Sequence, residues 1–180
     1  MWGHREKGDE KSFRRDALAH VDALHNFARH LAGSDADAED LVQETYARAF
    51  ASAPDMGPDS NLKSWLFRIL RNLFIDGYRR RSTSPIAALP FDESVEIGTA
   101  SLEPFDTSAI TSTDLQAALS ALPEASRTVI LLDLEGMNEG EVAEILGCAM
   151  GTVKSRLFRA RAALRASLKD YAPRRSAHGL

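Results

Sequence analysis

The 180-residue chain has one cysteine, Cys148, which excludes an internal disulfide framework. It has no apolar run near the roughly 18–20 residues that a membrane-spanning helix needs. The N-terminal stretch is polar and mixed in charge, without the pattern of a secretory signal. There is no phosphate-binding glycine loop, no cluster of side chains at metal-ligand spacing and no visible nucleophile–base pair. No catalytic residue, metal or cofactor is therefore expected. His20, His25 and His30 recur at steps of five. Each step turns about 140° on a helix, so the three do not share a face and read as surface histidines rather than ligands. No internal repeat is visible, and residues 83–114 hold no Lys or Arg at all. These absences suit a cytoplasmic protein.

What is present is ordinary in amount and uneven in placement. The chain is 44% hydrophobic and 27% charged, with a net charge of −4. Residues 33–44 hold Asp35, Asp37, Glu39, Asp40 and Glu44 and no base. Residues 68–81 hold Arg68, Arg71, Arg79, Arg80 and Arg81 against a single acid, Asp76. Residues 83–114 carry Asp92, Glu93, Glu96, Glu103, Asp106 and Asp114. Binding to phosphates depends on local basic surface, so a negative total does not exclude a nucleic-acid partner.

Hydrophobic periodicity predicts an all-α protein of two small helical domains joined by a flexible acidic linker. Residues 1–11 read as a tail. Phe13, Ala17, Val21, Leu24, Ala28 and Leu31 predict one helix over 12–32, ended by Gly33. Asp35 or Asp37 caps a second helix to about Ala53, buried through Ala38, Leu41, Val42, Thr45, Ala49 and Phe50. Its acidic first turn complements the helix dipole. Pro54 to Asn61 is a loop. Ser60 or Asn61 then caps a long helix to about Arg81, with Leu62, Trp65, Leu66, Ile69, Leu70 and Leu73 on its apolar stripe. Its cations together with Tyr78 are the usual equipment for single-stranded nucleic acid. The first domain spans 12–82, the linker 83–112 and the second domain 113–170, with a tail over 171–180. In the second domain, helices are expected from Asp114 to Leu122 and from near Pro123 to Gly136.

The stretch from Asn138 to Leu168 is the most explicit. Asn138 and Glu141 form a capping-box pair ahead of Val142, Ala143, Ile145 and Leu146. Gly147 stands where a left-handed residue ends the helix. A second pattern buries Val153, Leu157, Ala160 and Leu164 and exposes Lys154, Arg156, Arg159, Arg161 and Arg165. Two helices, a tight turn and a basic second helix make a helix-turn-helix, whose second helix enters the major groove. That motif alone also fits a free-standing dimeric regulator of duplex DNA. Gly140 carries a helix-propensity cost of roughly 1 kcal/mol relative to Ala.

Three segments, DAEDLVQETYARAF, NLKSWLFRILRNLFIDGYRRR and LPEASRTVILLDLEGMNEGEVAEILGCAMGTVKSRLFRARAAL, occur in order around the acidic linker. Together they resemble bacterial RNA polymerase sigma factors of the extracytoplasmic-function group, over roughly residues 12–82 and 113–169. The resemblance implies a partner, core RNA polymerase with its β and β′ subunits, met through Asp40, Leu41, Gln43, Glu44 and Arg48. It implies that the non-template single strand of the −10 element is held by Met56, Asn61, Arg68, Arg71, Asn72, Tyr78, Arg79 and Arg80. It implies that the −35 duplex is read by Thr152, Lys154, Ser155, Arg156, Phe158 and Arg159. The linker is expected to thread toward the RNA path, and a stress-linked anti-sigma factor, of the zinc-binding class, is the implied regulator. Glu139, Gly140 and Ala149 depart from the residues common in the family at those positions.

Overall fold

The computed structural model describes residues 7–53, 61–81 and 110–169, and among them every regular element is a helix. The first unit comprises α1 (Lys7–Leu18), α2 (Val21–Ala32), α3 (Asp35–Ala51) and α4 (Leu62–Arg81). The second comprises α5 (Ser112–Ala121), α6 (Glu124–Leu134), α7 (Glu139–Leu146) and α8 (Met150–Lys169).

The single helix expected over 12–32 is two helices. The break lies at Ala19–His20, where the His20 amide donates to Ala17 rather than one residue further back, and His20 takes φ −101° and ψ 8°. The apolar spacing continues across the break, because both helices bury their stripe on the same core, and so it hides the turn. The first helix also starts at Lys7, inside the segment read as a tail. Gly33 ends α2 at φ 81°, a left-handed conformation that costs a residue without Cβ almost nothing.

Ser34, not Asp35 or Asp37, caps α3: its hydroxyl oxygen accepts from the Asp37 amide at 3.2 Å and donates to the Asp37 carboxylate at 2.8 Å. Ser, Asp and Asn are comparable caps, so residue type alone does not distinguish Ser34 from the expected Asp35 or Asp37. The helix ends at Ala51, with Ser52 rather than Ala53 beyond it. At α4 the Asn61 Oδ1 accepts from the Lys63 and Ser64 amides at 3.0 and 3.4 Å, so Asn61 is the cap. The helix expected from Asp114 starts at Ser112, because Thr111 and Asp114 form a reciprocal capping box.

The first unit packs α3 between α2 and α4, with α1 laid on α4. Its core is laced with aromatics. Phe13 meets Phe50 and Trp65 edge-on at 6.3 and 6.2 Å, and Phe27 tilts onto Phe67 at 5.1 Å. Tyr46 is buried with its hydroxyl donating to the Ala17 carbonyl at 2.9 Å, and burial pushes its pKa up to about 12. The second unit is aliphatic. Val129, Leu132, Val142, Ile145, Val153 and Leu157 pack α6 and α7 against α8.

The two units also touch. α4 packs on α7 and α2 on α6, and the buried residues of both join one apolar cluster. Residues 82–109, most of the expected linker, fall outside the described residues, and its last residues, Thr111 and Ser112, form the cap and start of α5.

Candidate nucleic-acid interface

Three helical faces carry the residues singled out from the sequence. The first lies on α3. Asp40, Gln43, Glu44 and Arg48 are exposed, and Leu41 is half-buried beside them. Val42, Thr45, Tyr46 and Ala49 anchor the opposite side. The stripe is thus presented to solvent by a fully packed underside. Arg48 pairs with Glu44 at 3.1 Å one turn away, an i,i+4 contact worth only about 0.3–0.5 kcal/mol. A partner's cations can therefore replace Arg48 at small cost.

The second face lies on α4. Asn61, Arg68 and Asn72 are spaced by seven and four residues and are all exposed, so they share one side of the helix. Arg71 is turned away from that line and half-buried. Trp65 is buried against Phe13, in the core rather than on the surface. Met56 lies outside the described residues. Tyr78, Arg79 and Arg80 belong to the helix, but their side chains lie outside the described part.

One member of this face is already engaged. Asn61 Nδ2 donates to Glu141 Oε1 of α7 at 2.7 Å, and Ser64 Oγ donates to the same oxygen at 3.2 Å. Lys63 pairs with the Glu135 carboxylate at 3.2 Å and also donates to the Glu135 carbonyl. Sequence reasoning had found Glu141 only as a capping residue. Its partner lies 80 positions away in the chain, and no local pattern points to it.

The third face is the start of α8. The helix-turn-helix forms as its caps specify. Asn138 Oδ1 accepts from the Gly140 and Glu141 amides, and Glu141 Oε2 accepts from the Asn138 amide at 2.8 Å. Gly147 closes α7 at φ 63°. The propensity cost assigned to Gly140 belongs to a helix interior. Here Gly140 sits in the first turn, where an added Cβ would come within 3.1 Å of Asn138 Oδ1. The small residue accommodates the cap.

Along α8, Val153, Leu157, Ala160 and Leu168 are buried, and Leu164 is partly so. Lys154 is exposed, while Thr152, Ser155, Arg156, Phe158 and Arg159 are half-exposed on the same end. Arg159 folds back, donating from Nε to the Ser155 carbonyl at 3.2 Å. Lys154 reaches Glu139 at 3.5 Å with both side chains largely in water. Arg161 is held at 2.7 Å by Asp133 of α6 and fastens α8 to its neighbour, a structural use of one of the five basic positions.

Arg127 carried no signal in the sequence. It caps the end of α5 by donating to the Ser120 and Leu122 carbonyls at 2.8 and 3.0 Å, and it reaches across to the His30 carbonyl at 3.3 Å. A polar cleft of about 470 Å³ opens beside it, lined by Arg29, His30, Asp35, Gln116 and Ser120 among others. The three histidines read as surface groups are each half-buried. The pKa of His20 is lowered by burial and then by Lys63, and that of His30 by burial and then by Arg29 and Arg127. Among the described residues, no group of His, Cys, Asp and Glu is placed to hold a metal, and no helix is long and apolar enough to cross a membrane.

A helical unit with an acidic stripe and a polar-faced long helix is followed by a basic helix-turn-helix, a motif common in DNA-binding proteins. The comparisons say which. The sigma-70 region 2 family matches residues 17–83, and the sigma-70 region 4 family matches residues 112–164. The ECF RNA polymerase sigma factor EcfG of Rhodopseudomonas palustris is 40% identical over 168 residues, covering 90% of this chain and 91% of that one. The structure of the sigma factor RpoE in complex with the anti-sigma factor NepR, from Bartonella quintana, superposes with a TM-score of 0.70 at 36% identity, over 88% of this chain and 98% of that one. That of CnrH in complex with the cytosolic domain of CnrY superposes with a TM-score of 0.64 at 28% identity, over 89% of each. The chain belongs to the ECF sigma factors of the sigma-70 family. It is a promoter-specific transcription initiation factor.

Proposed function

We propose that residues 12–82 bind core polymerase and the −10 strand, that 113–170 bind the −35 duplex, and that 83–112 form an acidic connection running toward the RNA path. The exposed stripe of α3, with Asp40, Gln43 and Glu44 at its centre and Leu41 and Arg48 at its margin, docks on the β′ subunit. The loop containing Met56 and the face bearing Asn61, Arg68 and Asn72 take an unstacked base and the adjoining backbone, with Arg71, Tyr78, Arg79 and Arg80 further along. Trapping an unstacked base favours the melted duplex, so recognition and opening are one step. Lys154, Arg156 and Phe158, with Thr152, Ser155 and Arg159, enter the major groove. An arginine bidentate to guanine contributes about 1–3 kcal/mol of discrimination. The protein does no covalent chemistry; polymerase does, in the cytoplasm.

Regulation by an anti-sigma factor is part of the proposal, because two similar structures hold such a partner or a second protein's cytosolic domain. The observation carrying the functional assignment is that an exposed acidic stripe and a basic recognition helix each stand on a fully packed underside, in the two matched regions.

Reconstituted transcription tests it. Core polymerase with this protein should start RNA at discrete promoters, and core alone should not. Asp40→Ala should weaken core binding by about 1–2 kcal/mol, the range of a contributing interface residue, measured by titration of labelled protein with core. It should leave duplex binding by the second unit unchanged. A protein that footprints a palindrome alone and starts no promoter-specific RNA with core would be a free-standing regulator instead.

A further inference from the structure

We propose that Glu139 is a negative determinant of duplex binding: from the first turn of α7 its carboxylate occupies the Lys154 ammonium of α8 and stands where the DNA backbone passes. This rests on the assignment of α8 to the major groove.

Glu139 is the first residue of α7, and Lys154 is the first basic residue of α8. Their side chains meet at 3.5 Å. When the second helix of a helix-turn-helix lies in the major groove, the first crosses the backbone. A carboxylate on the leading turn of α7 is thereby carried to the phosphates together with the lysine it holds. α8 contains no acid along its length, so the negative charge at this end comes from its neighbour.

The fold does not need that charge. The capping box of α7 is complete without it: Asn138 Oδ1 accepts from the Gly140 and Glu141 amides, and Glu141 Oε2 accepts from the Asn138 amide. Glu141 also supplies a negative charge to the positive end of the helix. The Glu139 and Lys154 side chains are 42% and 59% exposed, so water screens their pairing and it adds little to stability. Its effect appears when a polyanion arrives. A phosphate must draw Lys154 away from Glu139, and the freed carboxylate repels the same backbone. Phosphates carry no sequence information, so the penalty falls on all duplexes alike. Neutralised phosphates supply essentially all non-specific binding. An acid in this place therefore reduces binding to DNA at large and leaves promoter engagement to the base contacts and to polymerase, which raises their effective concentration.

Fluorescence anisotropy of two labelled duplexes of unrelated sequence, titrated with the full chain between about 50 and 200 mM salt, tests this. Glu139→Gln should bind both duplexes severalfold tighter than the unsubstituted protein at the low-salt end. Its plot of log affinity against log salt should be steeper by about 0.9, the value for one more phosphate neutralised. Glu144→Gln makes the same charge change on an exposed part of α7, five residues and about 140° further round the helix, and should leave the slope unchanged. Adding Lys154→Ala to Glu139→Gln should remove the gain in slope. Circular dichroism checks that helix content is kept in each variant. A Glu139→Gln protein that binds no tighter than Glu144→Gln overturns the proposal, as does a gain in slope that survives without Lys154. A gain confined to one of the two duplexes also overturns it, because Glu139 would then read a base. If neither the unsubstituted protein nor any variant binds duplex, the assignment of α8 fails and the role of Glu139 falls with it.

Discussion

The two helices assigned to DNA, α4 and α8, are both 20 residues long and both bury one side in a packed unit. They differ at their first turns. That of α8 is open: Lys154 has one loose partner, Glu139, at 3.5 Å. That of α4 is covered: Asn61, Lys63 and Ser64 are all bonded to the second unit. The first turn of α7 serves both, Glu139 toward α8 and Glu141 toward α4. A duplex reader can stand ready, because major-groove edges are presented by closed DNA. The donors at the first turn of α4 are of the kind an anion would occupy, and here the carboxylates of Glu141 and Glu135 occupy them.

The largest expected effect tests the undersides. Phe67 is fully buried beneath α4 against Phe27. Phe67→Ala should cost about 3–5 kcal/mol, from lost burial and a cavity that relaxes only in part. Denaturant unfolding should show the loss. Because the clusters of the two units are joined, a single shifted transition would mean that they unfold together, and two transitions would mean that α8's unit stands alone.

Arg156→Ala addresses the open side. It should weaken −35 duplex binding by about 1–3 kcal/mol, or roughly 10–100-fold, with core binding retained. An electrophoretic mobility assay on promoter duplex, paired with core titration, checks both. Loss of core binding instead would mean that this face belongs to polymerase.

Smaller still is a pH effect confined to the seam. His20 and His30 both have lowered pKa values, first through burial and then through Lys63 for His20 and through Arg29 and Arg127 for His30. The neutral imidazoles are thus favoured in the folded state. Their contribution is present above the unfolded value of 6.5 and is lost as pH falls through the lower folded value. Midpoints of unfolding should decline as pH falls from about 6.5 to the lower folded value and level off beneath it, and decline less in His30→Gln than in the unsubstituted protein.

The smallest concerns the loose pair. Glu139→Gln should change stability by no more than a few tenths of a kcal/mol, because both partners are largely solvated. A loss above about 1 kcal/mol would show that the first turn of α8 is held as α4's is.

Much of this architecture was readable one residue at a time. Caps and stops are local chemistry: the Asn138–Glu141 box, Gly147 and Gly33 each satisfy backbone groups within a few residues, so sequence spacing suffices. Apolar stripes predicted which sides of α3, α4 and α8 are buried. The order of the three segments pointed to the sigma-factor family, which the comparisons establish. Local choices between near-equal alternatives were less legible. Ser34 competed with two aspartates, and the turn at Ala19–His20 left the hydrophobic spacing undisturbed.

The chain's sequence by itself determined that it forms helices, where most of them end, which faces they bury and which family it joins. Those properties depend on neighbours three or four positions apart, or on patterns that survive without coordinates. Only tertiary structure decided what each polar atom does after its helix is satisfied. Glu141 carries two oxygens and its cap needs one; Asn61 has an amide nitrogen that its cap leaves over. Those spare atoms meet across 80 residues because two packed units bring them within 2.7 Å. A hydrogen bond is decided by where its groups lie in space, and helix periodicity does not encode that.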